Sequence, residues 1–146
     1  MANPLIDLGQ LNRLKTAMLV RNFPELNVTA SYLGEEGIGL RLNGPVTTRV
    51  PAMTGSVPSP EPYVPIVVTV NLLKSQPLSA LYQAQMLVTT VIGDLVVRPD
   101  VARGLGPYYL SNCSIDDVAE LQFNGKVAGY AVSIGGNWNI NNTLWN

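Results

Sequence analysis

The chain has 146 residues, enough for one domain with a core of its own. Hydrophobic residues make up 47% of it and charged residues only 13%, against about 25% charged in an ordinary globular domain. Such a chain has little charge with which to coat a wetted surface, and its net charge of −1, with no basic run beyond Arg13 and Lys15, argues against a protein that grips nucleic acid through clustered cations.

Residues up to about Lys15 carry Leu5, Ile6, Leu8, Leu11 and Leu14, interrupted by Asn3, Pro4, Gly9 and Asn12. This reads as an extended or irregular apolar arm that needs a surface to lie on. It lacks the basic-then-apolar layout of a secretory signal, so the chain is expected to be made and folded in the cytosol. Val28, Ala30 and Tyr32 then alternate with Asn27, Thr29 and Ser31, and Ile38, Leu40 and Leu42 alternate with Gly39, Arg41 and Asn43. Period-two alternation predicts two strands buried on one face, joined by a turn at Gly34-Glu35-Glu36-Gly37.

Residues 44–62 contain Pro45, Pro51, Pro58, Pro60 and Pro62 with Gly44 and Gly55. Proline has no N–H to give to a ladder, so this segment is expected as a long protruding loop or an edge ribbon. Tyr63 to Leu73 is the strongest strand, with Val64, Ile66, Val68, Val70 and Leu72 on one aliphatic face. Ser75 or Gln76 caps a helix over about 76–87, with Pro77 in its first turn. Leu78, Leu81, Tyr82 and Met86 mark its apolar side.

Strand patterning resumes from about Val88 to Arg98, turns at Pro99-Asp100, and starts again near Tyr108. Ala119 to Phe123 alternates, and Asn124-Gly125 makes the best hairpin turn in the chain, since both residues tolerate positive φ. The return strand places Ala128, Tyr130, Val132, Ile134, Gly136, Trp138 and Ile140 on one side. About fifteen residues at 3.3 Å each would span roughly 50 Å, so the strand either bends at Gly135-Gly136 or reaches beyond its own domain. The chain then ends in an apolar hook, Leu144-Trp145.

Candidates for chemistry are few. Histidine is absent, which removes the commonest general base and metal ligand. Histidine-dependent nucleophile pairs and the usual zinc sites are thereby excluded. The single cysteine, Cys113, allows no intrachain disulfide and reads as a small buried hydrophobe. Asp116-Asp117 would point to opposite faces of a strand, and Glu35-Glu36 fall in a predicted turn. Gly37-Ile38-Gly39 and Gly104-Leu105-Gly106 lack the rest of a phosphate loop. The expectation is a non-enzyme with no cofactor and no metal.

The opening Asn3-Pro4-Leu5-Ile6-Asp7, then Leu11-Asn12-Arg13-Leu14, resembles the start of tail tube proteins of contractile-tailed bacteriophages. The strand running directly into a single helix, Val64 through Met86, and the closing long strand and Trp are similar too. Related tubes occur in contractile bacteriocins and secretion systems. The resemblance covers nearly the whole chain in element order and rests on no short diagnostic motif. It implies a mostly-β single domain over 1–146: two packed antiparallel sheets in a β-sandwich or barrel-like form, one helix, an N-terminal arm and a long protruding loop. It also implies rings, six-membered in that family, stacked into a hollow tail tube in the virion through which the genome passes. Implied partners are other copies of the chain, with sheath, baseplate, tape-measure and tail-terminator proteins, and DNA only in passage.

Under that reading Leu5, Ile6, Leu8, Met53, Trp138 and Trp145 are expected at contacts between subunits, and Asp94, Glu120 and Asn137 at the bore. Two alternatives stand beside it. One is a head–tail joining protein that forms a single ring. The other is a monomeric β-barrel holding an apolar ligand among Tyr82, Tyr108, Tyr109 and Tyr130.

Overall fold

A computed structural model describes residues 11–99 and 105–145. Eight strands and one helix follow in the order β1 (Ala17–Val20), β2 (Leu33–Leu42), β3 (Thr47–Ala52), β4 (Gly55–Pro60), β5 (Tyr63–Leu73), α1 (Pro77–Val88), β6 (Val91–Arg98), β7 (Tyr108–Val118) and β8 (Gly129–Asn139). The fold is mostly β. Six strands form one antiparallel sheet in the order β1-β6-β7-β8-β5-β2, and β3 pairs only with β4 in a separate two-stranded ribbon.

The centre of the sheet is the β5–β8 pair. All eleven residues of β5 are in register with β8, from Tyr63 opposite Asn139 to Leu73 opposite Gly129. Val64, Ile66, Val68, Val70 and Leu72 are fully buried, as their alternation predicts. Each such burial stabilises the fold by about 1.5–3 kcal/mol relative to exposure. Val132, Ile134 and Trp138 of β8 and Leu110, Cys113 and Ile115 of β7 continue the same layer.

Helix α1 closes one end of this layer. Gln76 precedes it in extended conformation, Pro77 occupies its first turn, and the Ser79 hydroxyl donates to the Leu73 carbonyl at 2.7 Å. Leu78 and Tyr82 are buried, and the Tyr82 hydroxyl donates to the Leu26 carbonyl at 2.7 Å. That bond ties the helix to a 3-10 turn at Pro24–Leu26, so this buried hydroxyl is satisfied. Leu81, assigned by its spacing to the buried side, is exposed, and Met86 is half-buried. The core side of the helix is therefore narrower than the predicted stripe.

Several local expectations give way to the fold. Residues 28–32 do not form a strand: Val28 makes one reciprocal bridge with Met18, and Ala30–Tyr32 turn as a 3-10 helix. The partner of that bridge, β1, went unrecognised because four residues are too few to show a period. Gly34 to Gly37 are not a turn between strands. They form an irregularity inside β2, where the register slips between Leu33 and Ile38. Gly37 takes φ of +66°, and the Asn71 amide donates to its carbonyl at 3.0 Å.

Of the two forms expected for residues 44–62, a loop or an edge ribbon, the structure shows the ribbon, made of β3 and β4. Residues 119–123 carry no strand; the connection between β7 and β8 is irregular, with Asn124 Oδ1 accepting from the Lys126 and Val127 amides. Strand β8 stops at Asn139 and is paired within the chain along its whole length, so it does not reach outside the domain. Asp116 and Asp117 do not point apart. A register shift sets both against Ser133, and both carboxylates lie on the outer face, Asp116 over the bare Cα of Gly135.

At Gly136 a Cβ would fall 2.6 Å from the buried Cys113 Sγ. Gly136→Ala should cost about 1–3 kcal/mol in urea-denaturation free energy. The double variant Gly136→Ala/Cys113→Ala should cost less than the sum of its parts, and strict additivity would disprove the contact.

Candidate functional site

The apolar side chains that the core leaves out gather in a few places. The first is the ribbon. Every residue from 41 to 60 is exposed, including Val46, Val50, Met53 and Val57. Val50 stands directly opposite Val57, and Met53, at the tip, is wholly exposed. The ribbon's root is held by the Glu61 amide on the Val46 carbonyl at 3.1 Å and by the Thr48 hydroxyl on Glu61 Oε1 at 2.6 Å. A two-stranded ribbon with both faces wet is marginal by itself.

The C-terminal hook lies at the same root. Residues Asn142–Trp145 form a 3-10 turn, and the Trp145 indole N–H donates to the carbonyls of Pro62 and Ile140, each at 3.0 Å. The Asn141 amide donates to the Glu61 carbonyl at 2.7 Å. The hook is thus oriented by its own chain, yet the ring stays 55% exposed. The fold brings Trp145 to the base of the ribbon that carries Met53. Trp138 is elsewhere: it sits within the chain's own packing, edge-on to Tyr108 with ring centroids 5.3 Å apart. Leu5, Ile6 and Leu8 lie outside the described residues.

A second apolar surface was not foreseen. Leu81, Ala84, Leu87 and Val88 are exposed along α1, and Val91 continues them at the start of β6. The spacing of Leu81, Ala84 and Val88 is helical, and that spacing is the signal of this stripe in the sequence.

The outer face of the sheet is polar. Register places Ser111 beside Asn137, and Asp117 beside Ser133, all pointing away from the core. Asp94 joins this face, because its neighbour Leu95 is buried. Asp94 and Asn137 therefore share one surface, whereas Glu120 lies exposed in the irregular segment after β7. The Cys113 thiol lies beneath it, pushed up to about 12 by burial, with the Asp94 and Asp116 carboxylates adding to the effect.

The concave side of the sheet opens into a cleft of about 560 Å³. Leu33, Ile38 and Leu40 of β2 form one wall, and Val97 and Tyr108 the other. Strand β2 ends the strand order, and β6 and β7 are second and third from its other end, so the sheet curls into a half-barrel whose mouth is this cleft. Of the four tyrosines considered for an apolar pocket, only Tyr108 lines it. Tyr82 and Tyr130 are buried in the core and Tyr109 is exposed.

Among the described residues no helix is long and apolar enough to cross a membrane.

A thiol whose folded pKa is raised binds its proton more tightly in the native state. Its contribution is complete below the unfolded value near 9 and is lost as pH rises toward about 12. Unfolding midpoints should therefore fall over that range. Cys113→Ala should flatten the fall, and an unchanged slope would contradict the assignment.

No protein-family model matches the chain, and no curated protein matches it.

Proposed function

We propose that this chain is a structural subunit that assembles with copies of itself into stacked rings, forming the hollow tail tube of a contractile phage or a related particle. The observation that carries the reading is the β3–β4 ribbon. Among the described residues it has no partner sheet, and it presents Val46, Val50, Met53 and Val57 to solvent. A neighbouring copy that covers one face of the ribbon supplies the third layer that such a hairpin needs.

Two further features support the same reading. Among the described residues strand β2 is a ten-residue sheet edge with β5 on one side only. A long edge of this kind is covered or paired in proteins that stay soluble. Head-to-tail pairing around a ring satisfies every copy's edge at once when the rotation per subunit closes. The outer sheet face, with Asp94, Asp116, Asp117, Ser111, Ser133 and Asn137, suits a bore that lets DNA pass without holding it, because carboxylates repel phosphates.

Under this reading Met53 and Trp145 meet a neighbouring subunit, and Asp94 and Asn137 face the lumen. The tail sheath and baseplate proteins would be further partners. A head–tail joining protein remains the neighbouring possibility, and polymer length separates the two.

Negative-stain microscopy of the purified chain should show hollow tubes of stacked rings. Single rings would point to a joining protein, and isolated particles at high concentration would refute assembly. Val50→Asp/Val57→Asp should leave a folded monomer with an unchanged circular dichroism spectrum and no tubes, and normal polymers from this variant would remove the ribbon from the interface.

A further inference from the structure

The ribbon and the exposed stripe of α1 stand at opposite ends of the same sheet. Strand β5 begins beside the ribbon at Tyr63 and leads into α1 after Leu73. Its eleven residues span about 34 Å. The ribbon reaches less far: Val50 is about 14 Å and the tip about 24 Å from the root at Val46. The two apolar surfaces of one chain therefore cannot meet. We propose that they meet between copies, with the valine face of one copy's ribbon packed across Leu81, Ala84 and Val88 of the next. This rests on the self-assembly reading above and names the second half of its contact.

The ribbon's backbone decides which part of it is available. The Glu61 amide donates to the Val46 carbonyl at 3.1 Å, which sets the alternation along the ribbon. The opposed pairs Thr48–Ser59 and Val50–Val57 then exchange backbone bonds, and the pairs between them turn their nitrogens outward. Pro51, Pro58 and Pro60 all stand at outward positions, two of them on β4, and bring no N–H there. An edge so short of donors is a poor template for a further strand. The ribbon is left to engage through a face. One face carries Arg49 and the three prolines. The other carries Val50, Ala52 and Val57. The Glu61 carboxylate at its root already accepts from the Thr48 hydroxyl.

The stripe on α1 matches that face in chemistry and size. Leu81, Ala84 and Val88 lie across the helix from the buried Leu78 and Tyr82, so they point away from the core. Residues Pro77–Val88 include no charged side chain, so contact with the valines buries no unpaired ion. Ala84 leaves a low point between Leu81 and Val88 that admits a branched side chain. The twelve-residue helix is about 18 Å long, and the six-residue strands of the ribbon about 20 Å. A footprint of about 20 by 10 Å falls well short of the roughly 800 Å² a side that a stable pair buries. Two copies alone therefore part readily, and the contact holds where many copies repeat it. Each chain offers a ribbon at one end and receives one at the other, which is what a head-to-tail repeat requires.

The test uses two full-length variants, Val50→Cys and Ala84→Cys, with the buried Cys113 as a silent background. Cysteines join only when their Cα atoms come within about 7 Å. Under mild oxidation at high concentration, the equimolar mixture should give on the order of tenfold more linked dimer than either variant alone. Peptide mass spectrometry should place the link between 50 and 84. The double variant should give a ladder of linked multimers. A link closed within one double-variant chain would overturn the proposal, and so would 50–50 or 84–84 links that outnumber the mixed one. Microscopy of the same samples separates this contact from the tube reading. Tubes without the 50–84 link would overturn the contact and leave the tube standing. The link without tubes would support the contact and count against the tube. Neither link nor tubes would overturn both.

Discussion

The β5–β8 ladder is the interaction on which the rest of the molecule is built. Its uninterrupted register commits Val64 through Leu72 to one face and Val132, Ile134 and Trp138 to the same face beside them. A slip of one residue would turn this whole layer outward, so the hydrophobic set itself enforces the pairing. Once the two strands are joined, β2 and β7 add on either side, and the layer needs only α1 and the 24–28 segment to close one end. The other end stays open as the cleft.

That asymmetry connects structure to function. A sheet that closed into a full barrel would have no edges and no mouth. Among the described residues this sheet has six strands, with β1 covered at one point by Val28 and β2 left with a free side. The polypeptide between β2 and β5 forms a ribbon that, among the described residues, pairs with no other strand. Low charge, an uncovered ribbon, an uncovered edge and an exposed apolar stripe on α1 are consistent with one surface economy, in which identical neighbours complete what one copy lacks. The polar outer face, by contrast, holds its carboxylates where no core residue needs them, as the bore of the proposed tube would require.

The parts that were legible from sequence are those where one force dominates over a long stretch. Strand β5 was readable because five aliphatic residues alternate without interruption. Helix α1 was readable because Pro77 sets its start and Leu78, Tyr82 and Met86 recur at helical spacing. Where periodic signals are short or local geometry intervenes, the pattern misleads. The alternation over 28–32 spans too few residues to tell a strand from a bridge followed by a 3-10 turn. The glycines at 34 and 37 serve an irregularity within a strand as readily as a turn between two. Asp116 and Asp117 share a face only because β7 slips one position against β8, and no local pattern announces that slip. The ribbon was half legible, since its prolines exclude a central strand but say nothing of pairing at an edge. The cleft was not legible at all, for it arises from the curl that brings residues near 38 beside residues near 97 and 108.

The central claim is that the ribbon is completed by another copy of the chain. Hydrogen exchange of the ribbon amides, residues 47–60, followed across protein concentration, tests it most directly. The account predicts rapid exchange in dilute monomer and strong protection that grows as the chains associate. Ribbon amides that exchange at one rate at every concentration, whether fast or slow, would contradict it.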